Sequence, residues 1–265
     1  MKVCVLRERK FYSDGGFGEP QGIAVPAGLK RVAIANGEGE GIQLLSTDDY
    51  EPTLSVRLGD DADNVRYDAS AKRLYVGYGE GALASIDATS GAVLDQVRLA
   101  GHPESFQLQP TGRRAFVNVP SANQLVVVDR VTMKVIATWP VTSAKANYPL
   151  ALDEPGQRLF VGCRHPAKVL VCDTSSGKEI AAFEIVGDTD DVFFDATRER
   201  LYVSGGEGFI DVFDTRPHRH FARIARIATA PGARTSLYVP ELNRLLLAVP
   251  RRDGRGAHVR VYEAR

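Results

Sequence analysis

A basic residue followed by a short apolar run recurs along the chain. The copies are Arg31-Val32-Ala33-Ile34, Arg73-Leu74-Tyr75-Val76, Arg114-Ala115-Phe116-Val117, Arg158-Leu159-Phe160-Val161, Arg200-Leu201-Tyr202-Val203 and Arg244-Leu245-Leu246-Leu247. Successive arginines stand 42, 41, 44, 42 and 44 residues apart. The surrounding polar and apolar positions repeat with them. Upstream of each arginine lies a short strand pattern such as Val65-Arg66-Tyr67 or Val192-Phe193-Phe194, then a turn carrying Asp, Gly or Pro. The arginine-led strand follows, then a Gly-rich or polar turn. A third apolar run ends in Asp, as in Leu83 to Asp87, Leu125 to Asp129, Val169 to Asp173 and Ile210 to Asp214. A fourth run leaves turns such as Thr89-Ser90-Gly91 and Ser175-Ser176-Gly177. Runs this short, separated by turn residues, predict strands; no 3.6-residue periodicity of useful length predicts helix.

Four short strands per repeat of this period predict an all-β chain, a β-propeller of four-stranded antiparallel blades. Residues 1–265 read as a single propeller domain, with blades at about 19–59, 60–100, 101–141, 146–187, 188–230 and 231–265. The last repeat stops after its third strand, and a spare strand at 9–13 precedes the first. The expectation is therefore six blades, the N-terminal strand completing the last one, since closure removes exposed sheet edges. An incomplete seven-bladed ring is the alternative. The aspartate ending each third strand is expected to accept hydrogen bonds from backbone N–H groups of the following turn.

Composition narrows the function classes. The chain has 265 residues, 33 Lys+Arg against 33 Asp+Glu, and net charge +0, which argues against a general nucleic-acid binder. No apolar run approaches the ~18 residues a membrane helix needs, and the apolar start Val3-Cys4-Val5-Leu6 is too short for an export signal. Three cysteines, an odd number, exclude a disulfide scaffold. There is no Gly-x-Ser-x-Gly elbow, no His-Glu-x-x-His and no Cys-x-x-Cys-His. A monomer is expected.

The repeats resemble the YVTN-type β-propeller repeat family, in its YncE-like branch. Arg73 to Val76, Arg158 to Val161, Arg200 to Val203 and the Asp-Thr-Ser-Ser-Gly-Lys turn from Asp173 carry the resemblance, with Gly59 to Asp68, Gly101 to Phe106 and Gly205 to Phe213. The resemblance implies a bacterial protein of the periplasm or exterior. It also implies a longer N-terminus with a secretion signal and most of a seventh blade, from which this sequence departs. It implies no single reaction. Single-stranded DNA binding occurs among such propellers; acidic loops without interleaved basic and aromatic residues argue against it here.

In a propeller, the loop leading into strand one and the turn between strands two and three share one face, where ligands bind. Aligning the repeats on the arginine gives three columns in the lead-in loops. Twelve positions before it stand Glu19, Asp61, His102, Ala146, Asp188 and Gly232; ten before, Gln21, Asp63, Glu104, Tyr148, Asp190 and Arg234; nine before, Gly22, Asn64, Ser105, Pro149, Asp191 and Thr235. These columns hold seven carboxylates against one Arg, a local excess of negative charge. Three readings stand side by side: solvated turn acids, a site for Ca²⁺ or another divalent cation with oxygen ligands, and a pocket for a cationic or polyhydroxyl ligand. For the metal, Glu19, Asn64, Asn147 and Asp191 resemble, in residue type only, the calcium site of gluconolactonase-type six-bladed enzymes. That reading makes the chain a metal-dependent hydrolase of lactones or esters, with Asp190 as candidate base. The other makes it a non-catalytic propeller whose acidic channel mouth takes a small molecule or protein through Glu19, Gln21, Asp63, Asn64, His102, Glu104, Asn147, Asp190, Asp191 and Arg234. Glu38, Glu80 and Glu207, each between glycines, read as hairpin turns rather than phosphate loops. The cysteines read as inert, Cys172 packed in its strand as a small hydrophobe; Cys163, beside Arg164 and His165, has the more thiolate-friendly surroundings. Trp139 reads as blade packing. The basic stretch Arg216 to Arg223, with His218 and His220, reads as a solvated loop on the opposite face.

Overall fold

The computed structural model describes residues 2–5, 10–13, 17–39, 41–216, 221–252 and 254–264. Strands β1 (Lys2–Val5) and β2 (Lys10–Ser13) pair with each other. Six repeating sheets follow. The first holds β3 (Pro20–Ala24), β4 (Arg31–Asn36), β5 (Gly41–Ser46) and β6 (Pro52–Arg57). The second holds β7 (Val65–Asp68), β8 (Arg73–Tyr78), β9 (Ala82–Asp87) and β10 (Val93–Arg98). The third holds β11 (Phe106–Leu108), β12 (Arg114–Val119), β13 (Gln124–Asp129) and β14 (Lys134–Pro140). The fourth holds β15 (Lys145–Asp153), β16 (Arg158–His165), β17 (Ala167–Asp173) and β18 (Glu179–Glu184). The fifth holds β19 (Thr189–Asp195), β20 (Arg200–Gly205), β21 (Phe209–Asp214) and β22 (Ala222–Ala228). The sixth holds β23 (Ser236–Val239), β24 (Arg244–Val249) and β25 (His258–Glu263). Among the described residues the helical segments are two three-residue 3₁₀ turns, Pro120–Ala122 and Pro240–Leu242.

These are the meandering antiparallel blades of a β-propeller, as the repeat predicts. The expected completion of the last blade is not what the strand pairing shows. Lys10–Ser13 pairs with Lys2–Val5, and among the described residues the sixth sheet has three strands. The chain divides into two compact units, Met1–Glu104 with Val128–Ile136, and Ser105–Val127 with Ala137–Arg265.

The burial pattern explains why strands two and three read as continuous apolar runs. Leu74, Tyr75 and Val76 on β8, and Leu83, Ala84, Ser85 and Ile86 on β9, are all buried, so both faces of the sheet are covered. Fourth strands are outer strands: in β10 five of six residues are exposed. In the second unit each sheet packs on the next through one apolar layer. Phe116, Leu125 and Val127 meet Leu150, Leu159 and Val161, while Phe160, Val169 and Val171 meet Val192, Leu201 and Val203. Trp139 joins the first layer, 6.0 Å from the Phe116 ring, as expected of it.

Strand one passes to strand two through a left-handed residue just before the arginine: Lys30, Lys72, Gln157, Glu199 and Asn243 have φ of 51°, 53°, 52°, 51° and 51°. The arginine itself ties its sheet to the next. Arg31 Nη1 donates to the carbonyls of Ala88 (3.1 Å) and Thr89 (2.7 Å), just beyond β9. Arg114 donates to the Thr174 carbonyl beyond β17, and Arg158 to the Thr215 carbonyl (2.7 Å) beyond β21. In the second sheet Tyr75 takes over, its hydroxyl donating to the Arg130 carbonyl (3.2 Å). The turn that receives the arginine is set by the repeat aspartate. Asp173 Oδ1 accepts from the N–H groups of Ser175 (3.1 Å) and Ser176 (2.8 Å) and from both hydroxyls. Those bonds lower its pKa to about 2. Asp87 and Asp129 hold their turns in the same way.

Candidate functional site

The column twelve residues before the arginine is first a conformational position. Glu19, Asp61, Ala146, Asp188 and Gly232 have φ of 53°, 56°, 56°, 52° and 81°. Asp and Gly suit this left-handed turn; Glu and Ala tolerate it at a cost. The lead-in acids therefore stand where the chain bends into strand one.

In the first unit these loops gather around His102. Its Nδ1 lies 2.6 Å from the Gly79 carbonyl and 3.3 Å from Asp61 Oδ2, and its Nε2 lies 3.9 Å from Asp63 Oδ2. The interaction with Asp63 is the main force holding the imidazolium, raising its pKa to about 9; Gly79, Asp61 and Glu104 act in the same direction and burial opposes them. Two carboxylates, Asp61 and Asp63, thus lie against one cation. Asn64 is half-buried, its carbonyl accepting from Gly77 N–H (3.0 Å). Glu19 and Gln21 are exposed, and the Gln21 amide fills the space a side chain on Gly37 would occupy.

The second unit is arranged differently. Arg164, at the end of β16, reaches Asp190 Oδ1 (2.6 Å), the Thr189 carbonyl (2.8 Å) and Asp188 Oδ1 (3.6 Å), and lies 4.2 Å over the Tyr148 ring. Arg234 reaches Asp188 (2.9 Å) and Asp190 (3.6 Å). The two acids are shared between two guanidiniums. Asp191 Oδ2 accepts the Ser236 N–H (2.7 Å), tying the fifth sheet to the sixth. Asn147 is fully buried: its Nδ2 donates to Asn118 Oδ1 (2.8 Å) and the Gln124 carbonyl (3.1 Å), and its Oδ1 has no hydrogen-bond partner.

In the second unit the acidic excess of the aligned columns is met by two arginines. The lead-in columns contain one arginine there, but a second, Arg164, enters from the end of β16, a position outside the aligned columns. Asn118, Asp61 and Asp188 also belong to these clusters. Of the four residues with calcium-site chemistry, Glu19 and Asn64 lie in the first unit and Asn147 and Asp191 in the second. Among the described residues no group of three or more His, Cys, Asp or Glu side chains is placed to hold a metal ion.

Other candidates resolve into structural roles. Glu80 stands between Gly79 (φ 59°) and Gly81 (φ 151°), a hairpin turn as expected. Glu207 accepts the Gly187 N–H (3.0 Å). Burial pushes the Cys163 and Cys172 thiols up to about 12, so neither is a thiolate at neutral pH. Cys163 and Cys172 are both buried, as expected of inert cysteines. His218 and His220 lie outside the described residues.

No protein-family model matches the chain. Among curated proteins it is similar to the uncharacterized protein YncE of Salmonella typhimurium, 24% identical over 180 residues, covering 66% of this chain and 48% of that protein. YncE of Salmonella typhi matches with the same identity and coverage. The chain spans about half the length of the curated relatives it matches. Among solved structures it shares its fold with Kuenenia stuttgartiensis hydrazine synthase, TM-score 0.75 at 16% identity, over 89% of this chain and 76% of that one. A chain of the mitotic checkpoint complex superposes with TM-score 0.80 at 10% identity, over 93% and 77%. At these identities the likeness is one of fold.

Proposed function

We propose that this YncE-like β-propeller is a non-catalytic binding protein that uses its lead-in loops to recognise a cationic ligand or partner segment. The observation that carries the reading is the asymmetry between the units. In the second, Asp188 and Asp190 are matched by Arg164 and Arg234. In the first, Asp61 and Asp63 lie against a single imidazolium, that of His102, two carboxylates on one cation, a local negative field that favours a second cation. Gln21 and Glu19, exposed in the preceding lead-in loop, extend the same surface. Asp190, the candidate base of the hydrolase reading, has its carboxylate engaged by Arg164, and Asp191 by a backbone N–H. A periplasmic or secreted location goes with the family resemblance.

A thermal-shift titration with 1,4-diaminobutane and with a short lysine-rich peptide tests this reading. A midpoint rise in the natural protein, absent in Asp63→Asn/Glu104→Gln, is expected. Equal shifts in both proteins, or none in either, would overturn it.

A further inference from the structure

The two units neutralise their lead-in acids with cations of different kinds. In the second, Asp188 and Asp190 are held by the guanidiniums of Arg164 and Arg234, which keep their charge at every accessible pH. In the first, the cation against Asp61 and Asp63 is the His102 imidazolium, a group that can give its charge up. The backbone seats this ring. Nδ1 donates to the Gly79 carbonyl at 2.6 Å, and the Gly79 N–H in turn donates to the carbonyls of Asp60 and Asp61, 3.1 Å each. The next residue, Pro103, packs on Gly77, where a Cβ would come within 2.9 Å of the proline Cγ.

This seating leaves one proton free to move. The bond to Gly79 needs only the proton on Nδ1. The proton on Nε2, the nitrogen 3.9 Å from Asp63 Oδ2, can pass to solvent while the neutral ring keeps its backbone contact. The carboxylates differ in access: the Asp61 side chain is 51% exposed and that of Asp63 13%. A soluble cation therefore arrives on the Asp61 side and competes with the imidazolium for the same two acids. The charged groups that favour the imidazolium are Asp63 and Asp61 from the lead-in loop of the second sheet and Glu104 from the ring's own loop. A second positive charge beside them acts in the opposite sense.

We propose that His102 is an exchangeable counter-cation: a cationic ligand at Asp61 and Asp63 binds more tightly once the imidazole has lost its Nε2 proton, and its arrival drives that proton to solvent. The inference rests on the reading of these loops as a cation-recognition surface and adds the regulation of that surface. In the free protein the ring holds its proton up to about pH 9. Two unit charges competing for one pair of carboxylates in a part-exposed site change each other's affinity about tenfold. By reciprocity the ligand lowers the ring's midpoint in the same proportion, so affinity climbs as pH approaches about 9 and levels off above it.

Isothermal titration calorimetry on the whole chain with 1,4-diguanidinobutane, whose own charge is constant over this range, tests the exchange. The natural protein is expected to bind about tenfold more tightly at pH 10 than at pH 7. It is expected to release about half a proton per ligand at pH 8.5, read from the enthalpies in two buffers of different ionisation heat. His102→Asn keeps an N–H donor for the Gly79 carbonyl without the charge. It is expected to bind about tenfold more tightly than the natural protein at pH 7, with no pH dependence and no proton release. Affinity of the natural protein that is level from pH 7 to pH 10, or His102→Asn binding no more tightly at pH 7, would overturn the inference and leave the recognition reading standing. Absence of binding by both proteins at every pH would overturn the two together.

Discussion

Replacing Arg158 with alanine tests the inference that this arginine joins the fourth sheet to the fifth. Its side chain is 4% exposed; Nε and Nη2 contact Asp153 Oδ2 at 2.8 and 2.6 Å, and Nη1 donates to the Thr215 carbonyl at 2.7 Å. The guanidinium also lies 5.5 Å from the Phe160 centroid and 5.9 Å from those of Phe194 and Phe221. Truncation leaves Asp153, 5% exposed, without its counter-charge and the Thr215 carbonyl without its donor. Stranding a buried carboxylate costs about 3–5 kcal/mol, and losing the carbonyl bond about 1 kcal/mol more. The expected total is about 4–6 kcal/mol, read by urea unfolding followed both by far-UV circular dichroism and by Trp139 fluorescence. Most of the loss is charge stranding rather than lost attraction. The pair Arg158→Met/Asp153→Asn, which removes the charge and keeps an acceptor for the Gly156 N–H, is therefore expected to recover about 2 kcal/mol. A single-variant loss below about 1 kcal/mol, or a pair no more stable than the single variant, would refute the reasoning.

Other consequences follow from the same structure. The His102 imidazole should titrate near 9, and Asp63→Asn should move it toward its ordinary value of 6.5, as read by NMR with His102→Gln for assignment. Its folded-state pKa is raised, so the stability it contributes is fully present below about 6.5 and lost as pH rises through about 9. A midpoint at or below 6.5 would contradict the cluster geometry. Cys163 and Cys172, both buried, should resist iodoacetamide at pH 8 in native buffer and react in denaturant, as read by peptide mass mapping; rapid native labelling of either would contradict their packing. Gly177→Ala should cost about 2–4 kcal/mol, because φ is +72° and the new Cβ would sit 2.1 Å from Trp139 Cδ2. A change below about 0.5 kcal/mol in chemical denaturation would show that the turn yields.

The strands were legible because each repeat states its own local chemistry. The arginine-led apolar run, the aspartate that closes β9, β13, β17 and β21, and the Gly-rich turns act within a few residues of themselves. The arginine's task was not legible, since its acceptors are backbone carbonyls 57 to 60 residues away, which no side-chain pattern marks. Asp63 and His102, which stand in two successive lead-in loops, come within 3.9 Å of each other, a proximity the column alignment makes legible. The columns did not reveal how Asp188 and Asp190 are neutralised, since their partner Arg164 comes from the end of β16 in the preceding sheet. Asp211 shows the same limit. It interrupts an apolar strand, is fully buried, and makes sense only once β22 brings Arg226 opposite it, with Nε at 2.7 Å.

On the proposed function, the lead-in acids serve recognition rather than holding a resident metal. Elemental analysis of the purified protein, paired with calorimetric melting in EDTA and then in excess Ca²⁺, tests it most directly. Far less than one equivalent of metal and a midpoint unchanged within about 1 °C are expected, since a ligand bound only by the native state would raise it. Near-stoichiometric metal, with a midpoint several degrees higher in Ca²⁺ and that rise abolished by Asn64→Ala, would contradict it.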